Sequence, residues 1–255
     1  MIQTRTYFII LILLMIHNIG IANEKLSWKG NIQAKTIVVN NQYGDVRLRY
    51  GGDKDNLEYV AVLQHLESEG QLYIERNETK NVLYISTGRK DTNQNVKIKD
   101  RARIDVTIFV PKNKAINVQT ENGKVDAKGL KSNLFIRTDK GNITVRKHSG
   151  LLNTTNNTGE TIIVLKNVDY NETQKFESVY GKIKITITNK SNLLVKMSTS
   201  SNIISDFSLE MIKHTHSEPN KTAIIKHNKA SSNVVMYSKR GDLALKEHIE
   251  FNQKP

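Results

Sequence analysis

Carboxylates recur beside a set of short turns, and they are the residues whose type and position could support catalysis. They are Asp45, Glu121, Asp139, Glu160 and Asp242. Two or three carboxylates on one face could act as the acid and base of a polysaccharide hydrolase, or bind calcium in a polysaccharide lyase. Turn positions also favour acidic residues for local backbone bonding and solvation. We therefore interpret them as turn residues and predict no catalytic residue and no enzyme activity.

Histidines form the second group that could do chemistry, as metal ligands or as a general base. His214 and His216 are separated by one residue, and His227 follows. The segment around them contains Pro219 and is typical of a loop, and no carboxylate lies at ligand spacing. No nucleophile elbow, phosphate loop or zinc signature occurs in the chain. The sequence thus predicts no metal site and no cofactor.

Aromatic side chains could bind sugars by stacking. Tyr43 and Tyr180 share the position just before a turn glycine, so a repetitive fold would place them on one edge. We interpret these two tyrosines as candidates for surface contact, with simple packing as the alternative.

A short unit that recurs along the chain predicts the turns. It consists of a hydroxyl or amide residue, two variable residues, a glycine, a polar residue and then alternating aliphatics. Its glycines are Gly44, Gly123, Gly141, Gly159, Gly181 and Gly241, and a degenerate copy from Ser198 to Ile203 has Ser201 in their place. Copies between Gly123 and Ser201 recur every 18 to 22 residues. A glycine at a fixed turn position predicts a positive φ angle, which is unfavourable for residues that have a side chain.

The residues after each turn alternate between apolar and polar, as Ile183, Ile185 and Ile187 do. This period of two is typical of strands with one buried face. A second short strand precedes the next turn, for example at Leu193 to Val195. Two strands per unit of about 20 residues predict an all-β, single-domain β-solenoid similar to a parallel β-helix. A β-sandwich of hairpins is the alternative.

The chain divides into four predicted regions. Residues 1–22 have one basic residue, an apolar run of ten residues from Tyr7 to Ile16, and small residues up to Ala22. This is the pattern of a cleaved signal peptide, and the run is too short for a permanent membrane anchor. Residues 23–246 form the solenoid, in which 31–87 are a less regular N-terminal cap and 104–246 are regular coils. Residues 247–255 form a C-terminal tail.

The chain has no cysteine, so neither disulfides nor thiolate metal sites stabilise the fold. Its formal charge of +13 could attract a polyanion, or could be a basic surface without a binding role. The partner is unknown, and acidic polysaccharide and another envelope protein both fit. Nucleic acid does not fit a protein that is exported.

The segment Ile104 to Lys112, with Val110 followed by Pro111, precedes two of the turn units. Together they resemble a bacterial family of exported "putative adhesins" that contain a domain of unknown function, over about residues 32–246. The resemblance implies a β-solenoid at the cell envelope. The chain departs from the family pattern at Lys124, Lys182 and Ser201, where an acidic residue or glycine is usual, which argues against a calcium-binding acidic ladder.

These patterns favour a noncatalytic exported protein, in the periplasm or on the cell surface, that presents a repetitive β-face for adhesion or for contact with a polymer or protein. Two alternatives stay open. One is a polysaccharide lyase or hydrolase on a β-helix, and the other is a periplasmic accessory of envelope-stress sensing.

Overall fold

The computed structural model describes residues 22–52, 54–65, 71–90, 102–165 and 171–248. Residues 1–21 of the predicted signal peptide and residues 249–255 of the predicted tail lie outside these ranges. The described residues form strands and turns and contain no helix, and therefore no helix long and apolar enough to span a membrane.

The strands form two large sheets. Sheet A has 10 strands in the order β1-β4-β7-β3-β9-β11-β13-β15-β21-β17, and sheet B has 11 in the order β18-β19-β16-β20-β14-β12-β10-β8-β2-β6-β5. The strands are β1 (Ala22–Asn31), β2 (Thr36–Tyr43), β3 (Val46–Gly52), β4 (Asn56–His65), β5 (Gln71–Glu78), β6 (Val82–Lys90), β7 (Arg103–Pro111), β8 (Ala115–Asn122), β9 (Val125–Lys128), β10 (Leu134–Lys140), β11 (Ile143–His148), β12 (Leu152–Thr158), β13 (Thr161–Leu165), β14 (Gln174–Ser178), β15 (Ile183–Ile187), β16 (Leu193–Thr199), β17 (Ile203–Ser205), β18 (Glu210–Lys213), β19 (Lys221–His227), β20 (Ser232–Ser238) and β21 (Leu243–Glu247).

Each coil of the stack contributes one strand to sheet B, turns, and then contributes the next strand to sheet A. The coil β10–β11 pairs in parallel with β8–β9 on one side and with β12–β13 on the other. Burial alternates along most strands of the stack, and Ile183, Ile185 and Ile187 of β15 point into the core between the sheets. Parallel pairing in register stacks equivalent apolar side chains coil upon coil, as Val125 on Ile143. The predicted all-β solenoid fold is confirmed.

The coils follow a different order in space from their order in the chain. The coil β2–β3 lies between β6–β7 and β8–β9. At the other end, β20–β21 lies between β14–β15 and β16–β17. The first and last coils of the chain are therefore hydrogen-bonded on both sides, which protects them from fraying.

Antiparallel strands cover both sheets at one end of the parallel stack and sheet B at the other, where the parallel strand β17 is the edge of sheet A. At one end β4 pairs with β7, β1 with β4, and β5 with β6, and at the other end β19 pairs with β16 and β18 with β19. Such strands protect the stack from edge-to-edge aggregation. Residues 31–87, predicted as a cap, thus supply end strands (β4 and β5) and also one inner coil (β2–β3). The domain boundaries stay a prediction.

Candidate functional site

The turn glycines stack along one edge of the solenoid. A Cβ atom at Gly141 would lie 1.9 Å from the carbonyl oxygen of Gly123, and one at Gly123 would lie 1.8 Å from that of Gly44. No side chain fits at such distances. The same approach to the glycine of the neighbouring coil recurs at Gly159 (2.3 Å), Gly181 (1.9 Å) and Gly241 (2.0 Å).

The reason for glycine at these turns differs in part from the predicted one. The φ angle is positive at Gly44 (+124°), Gly159 (+114°) and Gly141 (+158°), as predicted, with Gly141 close to the extended region. Gly123, Gly181 and Gly241 lie outside the left-handed region. At these three positions glycine is needed because the neighbouring coil's carbonyl oxygen occupies the space of a side chain.

Buried hydroxyl and amide side chains lie next to the glycines and bind the backbone of the turns. The hydroxyl of Ser238 donates to the carbonyl of Gly181 at 3.0 Å and accepts from the amide of Gly241 at 2.8 Å. The Asn156 amide donates to the carbonyl of Gly141 at 3.0 Å. A buried backbone group without a partner is costly, so Ser238 and Asn156 have a structural role. The hydroxyls of Thr120 and Thr138, three places before Gly123 and Gly141, are buried without a hydrogen-bond partner.

The degenerate copy of the unit is one residue shorter than the others. Thr199, rather than Ser198, pairs with Ser238, and the Thr199 hydroxyl donates to the carbonyl of Gly241 at 2.7 Å. The amide of Ser201 donates back to Thr199 at 3.0 Å. The alignment that starts this copy at Ser198 is therefore wrong by one residue.

Two of the turn carboxylates bind the neighbouring coil. Asp45 accepts the backbone N–H of Lys124 at 3.0 Å and forms an ion pair with Arg103 at 3.0 Å. Asp242 accepts from the Ser201 hydroxyl at 2.6 Å and from the backbone N–H of Asn202 at 3.1 Å. These hydrogen bonds, the one from Ser201 foremost, lower the pKa of Asp242 below its usual value. Both carboxylates therefore act as hydrogen-bond acceptors that join coils.

The other three turn carboxylates are more open to solvent. Glu121 and Asp139 are exposed and lie side by side on the neighbouring strands β8 and β10. Glu160 is half-buried, and its backbone N–H donates to the Asn142 side chain at 2.9 Å. Among the described residues, no group of three or more His, Asp or Glu side chains could hold a metal ion.

The predicted histidine cluster is not brought together around one point. His214 and His216 are exposed in the segment between β18 and β19. His227 ends β19, where its ring contacts Phe207 at 4.7 Å between centroids and its Nε2 lies 2.9 Å from the carbonyl oxygen of Asn189. These contacts give His227 a packing role.

Tyr43 and Tyr180 both lie on the glycine edge. Tyr43 belongs to the coil β2–β3 and Tyr180 to the coil β14–β15, with three coils between them. Four strand spacings of about 4.8 Å separate them by about 19 Å. Tyr180 is 55% exposed, and the Arg240 guanidinium lies 6.0 Å from its ring centroid. Tyr43 is half-buried.

The outer face of sheet A is basic, with much of its charge paired. Asp126 lies between Arg49 and Arg146, at 2.5 Å and 2.9 Å. Burial would raise the pKa of Asp126, but the hydrogen bonds from both arginines lower it below its usual value. Lys128 lies in register between Arg49 and Arg146 on the same face.

The outer face of sheet B contains a long groove, which the sequence reasoning missed. Three depressions of about 430, 330 and 340 Å³ lie along it. Arg137 and Thr155 line both the first and the second, and Asn40 and Gln119 line both the second and the third. The three therefore form one groove. It crosses the strands β6, β2, β8, β10, β12, β14 and β20.

Polar side chains in two parallel rows form most of the groove. Because neighbouring strands are in register, one outward residue from each coil falls into each row. The central row is Ser86, Asn40, Gln119, Arg137, Thr155, Glu177 and Tyr237. The row beside it is Tyr84, Val38, Asn117, Phe135, Asn153, Lys175 and Val235. Phe135 is 37% exposed and Tyr84 is 39% exposed.

The chain is similar to solved structures of bacterial proteins that are named as adhesins. A "putative cell adhesion protein" from Clostridium sporogenes aligns with a TM-score of 0.47 and 13% identity, over 89% of this chain and 100% of that one. A "putative adhesin" from Bacteroides fragilis aligns with a TM-score of 0.41 and 12% identity, over 88% of this chain and 97% of that one. No family model and no curated protein matches the chain.

Proposed function

We propose that the protein is a noncatalytic, exported protein of the cell envelope or cell surface that makes adhesive contact with a polymer or another protein. The observation that carries this proposal is the groove on the outer face of sheet B. It continues across seven strands, and each coil adds one outward residue to each of its rows. A repeated face of this kind suits many weak contacts that act together, because multivalency raises affinity without any single strong contact.

The roles of the turn residues also support a contact surface over an enzyme. Asp45 and Asp242 each accept a hydrogen bond from a backbone amide of a neighbouring coil. A catalytic carboxylate must instead be free to transfer a proton or attack a substrate. Glu121 and Asp139 are the carboxylates that could serve the polysaccharide-enzyme alternative, because they are exposed neighbours.

Incubation with polymers from the cell envelope and from host surfaces tests this proposal. The protein is applied to each immobilised polymer, and the size distribution of the same polymer in solution is measured before and after incubation. We expect retention without any change in polymer size. Shortened chains would contradict the proposal, and their loss in a Glu121→Gln, Asp139→Asn double variant would favour the enzyme alternative.

A further inference from the structure

The charge of the groove differs in sign from that of the whole chain. The charged side chains that line its three depressions are Arg137, Glu121, Asp139 and Glu177. One cation against three carboxylates gives the lining a formal charge of −2, or −1 when Lys175 of the neighbouring row is counted, whereas the chain carries +13. A polyanion would therefore be repelled from the groove, although the chain as a whole would attract it. A polyanion would bind instead to the basic outer face of sheet A, which contains Arg49, Lys128 and Arg146.

The uncharged part of the lining can bind hydroxyl groups. It consists mainly of amide and hydroxyl side chains, among them Asn40, Asn117, Gln119, Asn153 and Thr155. A side-chain amide has two N–H donors and an accepting oxygen, and a side-chain hydroxyl can both donate and accept. Such side chains can therefore bind sugar hydroxyls whatever the orientation of those hydroxyls. Carboxylates accept from the same hydroxyls more strongly.

Aromatic rings in the groove can stack against the apolar faces of sugars, and of the three, Phe135 is exposed while Tyr237 and Tyr73 are half-buried. Phe135 lines the second depression, Tyr237 the first and Tyr73 the third. An aromatic ring offers a large, flat and rigid surface at a low cost in conformational entropy. Phe135 projects between Asn117 and Asn153, so a ring stacked on it would have amides on both sides.

The length and regularity of the groove indicate a linear ligand. Seven strands give six spacings of about 4.8 Å, or about 29 Å in all. The rows run across the strands, so an extended chain lying along them would meet a polar side chain from every coil. The buried core of an interface with a protein partner is typically richer in apolar and aromatic side chains than the rest of the surface. The row beside the centre instead alternates single apolar residues with amides, as at Val38, Asn117, Phe135 and Asn153.

From this charge, chemistry and length we infer that the groove on the outer face of sheet B binds a neutral, linear polysaccharide that lies across the strands. The inference rests on the proposed function and deepens it by naming the class of ligand and the face that binds it.

Retention on soluble polysaccharides in affinity gels tests the inference. The probes are dextran, mannan, hydroxyethyl cellulose and glycol chitin, which are neutral, and polygalacturonate, which is anionic. We expect retention on at least one neutral polymer, equal at low and high salt because no ion pairs are involved. Phe135→Ala should weaken that retention by about fivefold or more, because a stacking contact is lost.

Variants on the other face serve as controls. Ile204, which is 43% exposed on sheet A, gives the matched control Ile204→Ala, which should leave retention unchanged. Melting temperatures of both alanine variants should match that of the parent, which shows that any loss is local. Retention on no neutral polymer would overturn the inference, and so would equal losses in the two variants.

The result with polygalacturonate, the anionic probe, distinguishes failure of this inference from failure of the proposed function. Retention on polygalacturonate alone, lost in Phe135→Ala, would overturn the ligand class and leave the groove as the contact face. Retention on polygalacturonate alone that is lost in Lys128→Ala but kept in Phe135→Ala would overturn both the ligand class and the groove as the contact face, because contact would then occur through sheet A, while adhesive contact itself would stand.

Discussion

Replacing Gly141 by valine should destabilise the fold much more than any change at the exposed residue beside it. A Cβ atom there would lie 1.9 Å from the carbonyl oxygen of Gly123. An ordinary C···O contact needs about 3.3 Å, so the two coils would have to separate by about 1.4 Å, against a strand spacing of about 4.8 Å. That movement also strains the hydrogen bonds from Gly141 to Thr158 (3.3 Å) and from Gly123 to Lys140 (3.0 Å).

The size of the effect follows from these contacts. Overpacking costs about 1–3 kcal/mol, and each weakened backbone hydrogen bond adds about 1 kcal/mol. A loss of about 3 kcal/mol lowers the melting temperature by about 6–12 °C in a protein of this size. Urea and thermal unfolding, followed by circular dichroism, measure both quantities.

Two control variants separate the steric effect from other causes. Lys140→Val changes an exposed neighbour and should shift stability by less than about 0.5 kcal/mol. Gly52→Ala tests backbone conformation alone, because Gly52 has φ +109° and no atom within 4 Å of its Cβ position. It should cost about 1–2 kcal/mol. Equal losses in Gly141→Val and Lys140→Val would refute the stacking of the turn glycines.

Further predictions concern a buried hydroxyl, a buried histidine and export. Ser238→Ala should lower the free energy of unfolding by about 2 kcal/mol, measured in urea, because it leaves two buried backbone groups unpaired. Burial lowers the pKa of His148 from 6.5 to about 4, so the fold holds the ring neutral. Stability should therefore be complete above pH 6.5, fall by up to about 3 kcal/mol as the pH drops to about 4, and level off below that. His148→Leu should flatten this part of the pH profile, and an unchanged profile would show that another group is responsible. The exported protein should begin at Asn23 by N-terminal sequencing, and a retained Met1 would contradict the predicted signal peptide.

Much of the fold could be predicted because its signals are local. Alternation such as Ile183, Ile185 and Ile187 identifies a strand with one buried face, and the glycine after two variable residues identifies a turn. Repetition of both at a short period leaves few folds other than a solenoid. The role of the hydroxyl residue before the turn at Gly241 became clear only with the structure, where Ser238 binds two glycines of neighbouring coils.

The order of the coils could not be predicted in the same way. The coil β20–β21 pairs with β14–β15 and β16–β17, and nothing local in its sequence distinguishes these partners from other coils. The groove was missed for a related reason. Phe135 lies between the buried residues Leu134 and Ile136, so the sequence shows that it faces outward. Only the pairing register of β10 with β8 and β12, which the sequence does not reveal, places Asn117 and Asn153 beside it.

A pair of tryptophan substitutions tests most directly whether the outer face of sheet B makes the contact. Thr155 is exposed in the middle of the groove, and Thr144 lies on the outer face of sheet A. Thr155→Trp fills the groove, whereas Thr144→Trp places the same bulk on the opposite face. Retention on a polymer that binds the parent protein should be lost in Thr155→Trp and kept in Thr144→Trp. Equal retention in both variants, or loss only in Thr144→Trp, would contradict the account.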